Sequence, residues 1–272
     1  MEPISVVREA VARVESGERV ALCHVVETSG SVPCRSGWKK LVGTSGSTFG
    51  NLGGGAFEAR VMADAGALLR GEQLWLRERY YCTEETNKGS ATGMACGGYA
   101  DVWIEIMSAA PVLLVCGGGA VGQALATNAA VCGFDSWVVD DRPEFADSAL
   151  HPLATVLLVK SDYSDLELQR FGQRDLFICV VSRGWDTDAA ALHTILMQDC
   201  PNIEYLGLMG SKRKIAKVRS QLVDQGVGWG TVHAPIGLAI GAQTPAEIAV
   251  SILAEMIQVR HRSAAEPVAS LS

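Results

Sequence analysis

Apolar residues in this chain fall into short unbroken runs and longer stretches of helical period, and in the second half the two alternate. VLLVC, residues 112–116, contains no polar residue and suits a strand covered on both faces. After GGGAVG, the stretch QALATNAAVCGF reads as a helix of small residues that stops at Gly133. SWVVDD predicts the next strand, with Asp140 and Asp141 at its tip. LFICVV (176–181) and EYLGLMG (204–210) predict two more buried strands, separated by the helical pattern DTDAAALHTILMQ. Strands alternating with helices predict an α/β Rossmann-type doubly wound parallel sheet.

The glycines after the first of these strands have the spacing of a dinucleotide fingerprint. Gly117 allows the turn, Gly119 lets backbone approach a pyrophosphate, and Gly122 lets helix and strand pack closely. Asp140, 18 residues beyond Gly122, is suited to a ribose hydroxyl, and Arg142 to a 2′-phosphate; both also fit a solvated strand end. GSKRKIAKVRSQLVDQG predicts a helix opened by Gly210 and Ser211, with Lys212, Arg213 and Lys214 in its first turn. Cations there oppose the helix dipole, so they point to a bound anion or to a basic solvated face. The last helix starts at a capping box of Thr244, Pro245 and Glu247, and its Ile248, Ile252 and Met256 read as core or subunit contact.

The first half reads as α+β. CHVVETSGSVPCRSG is a strand followed by a turn-rich loop, and YADVWIEI alternates as a strand should. Residues 38–58, WKKLVGTSGSTFGNLGGGAFE, predict a strand, a tight turn, a short return strand and a second glycine triplet, Gly53, Gly54 and Gly55. A helix follows, with Phe57, Val61, Met62, Ala65, Leu68 and Leu69 on one face and a stop at Gly71. Here Glu58 stands where the other triplet has its last glycine. Its carboxylate repels phosphate, and suits either a ligand rich in N–H donors, such as a pterin edge, or a tight packing loop. Cys96, beside Gly97 and Gly98, is either an accessible thiol able to act as a nucleophile or soft-metal ligand, or an inert one.

Composition narrows the setting. With 272 residues and 48% hydrophobic content the chain can fill a core of one large or two ordinary domains. A net charge of -7 argues against nucleic-acid or anionic-membrane binding. The N-terminus lacks a signal-peptide pattern and no apolar run reaches membrane-spanning length, so a cytoplasmic protein is expected. The eight cysteines have no C-x-x-C pair, which favours free thiols over a zinc site.

Taken together, SGSVPCRSG, FGNLGGGAFE, GMACGG, CGGGAVG, VVDDRPEF, YLGLMGSKRK and APIGLAIGAQTPAEIAVSILAEM resemble the XdhC/CoxI family of molybdoenzyme maturation proteins. The resemblance implies an N-terminal domain, 1–108, and a C-terminal Rossmann domain, 109–272. It implies an accessory protein that binds molybdenum cofactor, as molybdopterin or its dinucleotide form. The protein would support the cofactor's sulfuration and its insertion into a client enzyme of the xanthine dehydrogenase family. Implied partners are that client, a cysteine desulfurase as sulfur donor, and a second copy in a homodimer. In that setting Glu58 orients the pterin, and Cys96 lies near molybdenum or relays sulfur. Gly117, Gly119 and Gly122, with Gly210, Ser211, Lys212 and Arg213, meet phosphates. The chain departs from the family pattern at Cys34, Lys40 and Trp185, the last standing where relatives commonly carry histidine; Asp188 is retained. An NAD(P)-dependent oxidoreductase and a ligand-free adaptor are the alternatives.

Overall fold

The computed structural model describes residues 2–71, 73–83, 90–92 and 97–261, in two units, Met1–Ala109 and Ala110–Ser272. In the first, Val20–Ser29 (β1) is the centre of a mostly antiparallel sheet. Lys39–Gly43 (β2) and Thr48–Gly50 (β3) lie to one side of it; Tyr99–Met107 (β6), Trp75–Tyr81 (β4) and Ser90–Ala91 (β5) lie to the other. Both ends of the hairpin expected over residues 38–50 are present, with Lys40 opposite Gly50 and Val42 opposite Thr48.

Alternation along β1 sorts its side chains between two helices. Ala21, Cys23 and Val25 face Gly55–Arg70 (α2), which buries Phe57, Val61, Ala65, Leu68 and Leu69. Val20 and Leu22 point the other way, onto Val6 and Ala10 of Pro3–Glu15 (α1). Neither α1 nor β4 was expected from the sequence. α1 does carry a helical apolar period, with Val6, Ala10 and Val14 at four-residue steps, whereas Arg77, Glu78 and Arg79 interrupt the apolar rhythm of β4.

The second unit is a five-stranded parallel sheet, in the order β9-β8-β7-β10-β11. The strands are Val112–Cys116 (β7), Asp135–Asp140 (β8), Ala154–Leu158 (β9), Leu176–Val180 (β10) and Ile203–Leu208 (β11). Chain order reverses between β7 and β10, the place where such sheets open a ligand crevice at their carboxyl ends. The apolar runs are unbroken because both faces are covered. Leu113 and Val115 of β7 pack with Ala120–Val131 (α3) and Pro245–Arg260 (α6). Val112, Leu114 and Cys116 pack with Trp185–Leu196 (α4) and Lys212–Asp224 (α5). Ile252 and Met256 are wholly buried in the first of these layers, so they are core. The capping box forms as expected: Glu247 N–H donates to Thr244 Oγ1 at 3.3 Å, and Thr244 N–H to Glu247 Oε2 at 2.9 Å. The edge strand β9 lies in an apolar run, LATVLLV (153–159), but was not expected as a strand from the sequence; at the sheet edge its side chains are only partly covered.

Candidate functional site

At the carboxyl end of β7 three glycines are demanded by packing and one is not. A Cβ on Gly117, whose φ is 126°, would lie 2.8 Å from Val181 O and 2.9 Å from Ser182 Cα. On Gly118 it would strike Phe145 O at 2.4 Å, and on Gly122 it would lie 2.0 Å from Gly117 O. At Gly119, the N-cap of α3, nothing lies within 4 Å of the same atom. The opening N–H groups of a helix have no partner within it, and no side chain caps those of α3. Gly119 therefore leaves room in front of free donors at the positive end of a helix dipole, where an anion is favoured.

The acidic strand tip takes a different part from the one expected. Asp140 is buried, and its carboxylate accepts four hydrogen bonds. Oδ1 takes Arg142 N–H at 3.0 Å and Arg142 Nε at 2.9 Å, while Oδ2 takes Gly118 N–H at 2.8 Å and Arg142 Nη2 at 2.9 Å. That set fills its acceptor capacity, leaving none for a ribose diol unless Arg142 lets go. Asp140 is a brace for the glycine loop. Arg142, stacked 3.8 Å over Phe145, is the cation that balances it rather than a free 2′-phosphate receptor, and the ion pair raises its pKa further. Asp141 pairs instead with Arg183, which holds both of its oxygens and keeps its carboxyl below the usual range.

The basic start of α5 is also partly spent within the fold. Ser211 caps the helix by accepting from Lys214 N–H at 3.3 Å. Gly210 makes room for the Lys214 stem, which a Cβ there would meet at 2.9 Å. The Lys214 ammonium reaches 2.5 Å from Asp188 Oδ2, as an ion pair without hydrogen-bond alignment, and Ser182 Oγ donates to Oδ1 at 2.5 Å. Burial raises the Asp188 carboxyl, and Lys214 and Ser182 oppose that rise. Lys212 and Arg213 are exposed and have no ion-pair partner among the described residues. Trp185 opens α4 and takes Lys217 over its ring at 3.4 Å. Arg183 and Asp188 were not assigned to a site from sequence. The signals were their place in SRGWDTD, directly after a predicted strand, and the match of Asp188 to the family pattern.

A family model described as the XdhC Rossmann domain matches residues 113–256, and one described as the XdhC and CoxI family matches residues 13–80. The chain belongs to the XdhC/CoxI family. YqeB of Escherichia coli (strain K12), described as uncharacterized, is 32% identical over 263 residues, which are 96% of this chain and 47% of that protein. A Bacillus subtilis (strain 168) protein described as a probable xanthine dehydrogenase subunit is 32% identical over 164 residues, 60% of this chain and 47% of that one. The chain thus spans about half the length of the curated relatives it matches. A Bacillus halodurans crystal structure described as a xanthine dehydrogenase aligns with 100% of this chain and 99% of its own, at 22% identity and a TM-score of 0.49.

In this XdhC-family chain the first glycine triplet is tied down by Glu58. Its Oε1 accepts from Lys40 Nζ at 2.7 Å, and its Oε2 from Leu52 N–H at 2.7 Å and Gly54 N–H at 3.2 Å. Burial pushes the carboxyl up, but Lys40 and the two N–H groups outweigh it and hold it below the usual range. The tight packing loop is thus what the carboxylate serves in the first place, and a pterin edge would have to share it. Lys40 is buried and supplies the counter-charge. Gly53 is close-packed, since a Cβ there would lie 2.2 Å from Pro33 O; Gly54 faces open space, and Gly55 begins α2. A cavity of about 200 Å³ borders this loop, lined by Pro3, Val6, Trp38, Lys39 and Asn51. It is smaller than the roughly 300 Å³ at which ordinary ligand pockets begin.

Cys96 lies outside the described residues. Its neighbour Gly98 packs against the Ser29–Ser31 turn, where a Cβ would lie 2.5 Å from Ser29 O. Cys34 is buried, and burial followed by the nearby Cys82 pushes its thiol up to about 11. No disulfide joins the described cysteines, and no group of three or more metal-ligating side chains occurs among the described residues. No helix among them is long and apolar enough to cross a membrane.

Proposed function

We propose that this chain is an accessory protein of a xanthine dehydrogenase-family enzyme, one that binds molybdenum cofactor as cargo and supports its sulfuration and insertion. The observation that carries the reading is the gap at Gly119. In a loop whose other glycines are filled by packing, one position stands open before uncapped helix N–H groups, at the switch point of the sheet. The open helix start favours an anion such as phosphate in charge, with no atom within 4 Å of a Cβ built at Gly119. Molybdopterin and its dinucleotide form both carry phosphate, and the proposed link to a xanthine dehydrogenase-family enzyme favours them among the many ligands of Rossmann domains.

On this reading the chain binds and orients, while the cargo would supply the molybdenum, held by its dithiolene sulfurs, as the atom that takes the terminal sulfur. Gly117 and Gly122 shape the turn, Gly119 admits the phosphate, and Lys212 and Arg213 lend positive potential at the same sheet edge. Cys96 is assigned sulfur relay or a molybdenum contact. Glu58 is assigned the pterin, sharing its carboxylate with Lys40. The client molybdoenzyme, a cysteine desulfurase and a second copy of the chain are the proposed partners, in the cytoplasm. The alternative, an NAD(P)-dependent oxidoreductase, would need Arg142 to release Asp140 before that carboxylate could take a ribose diol, a cost that molybdopterin without a nucleotide does not meet.

The test is equilibrium binding of molybdenum cofactor to anaerobically purified protein, with NADPH as competitor and Gly119→Asp as control. The variant keeps the fold, because its Cβ enters empty space and its carboxylate suits a helix start, yet it repels phosphate. Stoichiometric cofactor binding that the variant loses supports the proposal. Saturable NADPH binding without cofactor binding overturns it in favour of the oxidoreductase, and binding of neither ligand leaves the adaptor.

A further inference from the structure

The sheet order brings one ion pair across the mouth of the glycine loop. β8 and β10 flank β7; Asp141 directly follows β8, and Arg183 follows β10 by three residues. Their bidentate pair therefore spans the carboxyl end of β7, where Gly117–Gly119 run. We infer that Arg183 is an anion-binding residue of this crevice, held by Asp141 until a ligand's phosphate takes the carboxylate's place. The inference rests on the reading that the glycine loop admits a phosphate-bearing ligand, and it adds the residue that selects for the anion.

Three observations single out Arg183. The guanidinium fork fits a carboxylate and a phosphate with the same two parallel hydrogen bonds, so exchanging one for the other keeps its geometry. Arg183 is also the most accessible of the cations engaged at this edge: 44% of its side chain is exposed, against 24% for Arg142 and 22% for Lys214. The Arg142 guanidinium is held by two hydrogen bonds to Asp140, which is itself tied to Gly118 N–H, and Lys214 is committed to buried Asp188. Finally, Asp141 is not stranded when Arg183 turns away. Its side chain is only 6% exposed, but Arg142 beside it also favours its charged form.

Binding of molybdenum cofactor and of NADPH, measured on the full chain with Asp141→Asn, Arg183→Ala, Arg183→Lys and the Asp141→Asn/Arg183→Ala pair, tests the exchange. Asp141→Asn frees Arg183 and is expected to tighten binding by about tenfold, whereas Arg183→Ala weakens it by about 10- to 100-fold and Arg183→Lys by less. In the double variant the gain from Asp141→Asn shrinks to about threefold or less, the coupling that marks a shared partner. If Asp141→Asn and Arg183→Ala both weaken binding and both lower the melting temperature, the pair is a structural brace and the inference falls. If wild type binds, Gly119→Asp does not, and Arg183→Ala matches wild type, the inference falls while the cofactor-binding reading stands. If neither ligand binds wild type or Asp141→Asn, the reading of the loop fails and takes this inference with it.

Discussion

Replacing Lys40 with Met tests whether the Lys40–Glu58 pair holds the first glycine loop. Methionine keeps most of the stem in its apolar setting and removes only the ammonium, whose side chain is 7% exposed against 16% for Glu58. Breaking a fully buried pair costs about 3–5 kcal/mol. Glu58 retains the N–H groups of Leu52 and Gly54 and some solvent, so a cost of about 2 kcal/mol is expected here. Glu58→Gln leaves the buried ammonium without a counter-charge, and the amide's one oxygen cannot serve both Lys40 and the Leu52 and Gly54 N–H groups, so a cost of about 3 kcal/mol is expected. In the Lys40→Met/Glu58→Gln double variant no charge is stranded, and the two losses should fail to add by about 2 kcal/mol. Urea denaturation followed by near-ultraviolet circular dichroism gives all four values.

The pH dependence provides a second readout of the same pair. Because the folded Glu58 carboxyl sits below its ordinary value, its stabilisation is present above the unfolded pKa of about 4.3 and is lost as pH falls through the folded value. Lys40→Met raises the folded value, so this acid loss should become shallower. A neutral Lys40→Met with an unchanged acid limb would refute the reasoning. The result also bears on function, because a Glu58 variant that loses cofactor has lost its loop brace as well as any pterin contact.

Gly122→Ala should destabilise the Rossmann unit by about 2 kcal/mol or more through the 2.0 Å clash with Gly117 O, while Gly119→Ala should change the melting temperature little; equal effects would contradict the loop geometry. Thr244→Ala removes the side-chain half of the capping box and should cost about 1 kcal/mol in chemical denaturation, with a change under about 0.3 kcal/mol counting against it. In thiol labelling of the native protein at pH 8, exposed Cys132 should react early, and Cys23, pushed up to about 12 by burial, should react only on unfolding, as should buried Cys116 and Cys179. Native labelling of Cys116 would show that β7 is not sealed as described.

The local features of this protein were legible in its sequence because each depends on neighbours along the chain. An apolar run covered on both faces, a glycine where helix meets strand, and a Thr-Pro-x-Glu start all act within a few residues, so β7, α3, β8, β10, β11 and the start of α6 follow from pattern alone. β4 escaped notice because Arg77, Glu78 and Arg79 break its rhythm, whereas α1, with its helical apolar period, and β9, within LATVLLV, were legible and were not read. Charged partners lay beyond reach altogether. Asp141 finds Arg183 42 residues away, and Lys40 finds Glu58 18 residues away. Asp140 turns from an expected ribose ligand into a brace once Gly118 and Arg142 are placed around it. A carboxylate's role is set by which donors reach it first, and the sheet order, which puts the ends of β8 and β10 on either side of β7, decides that.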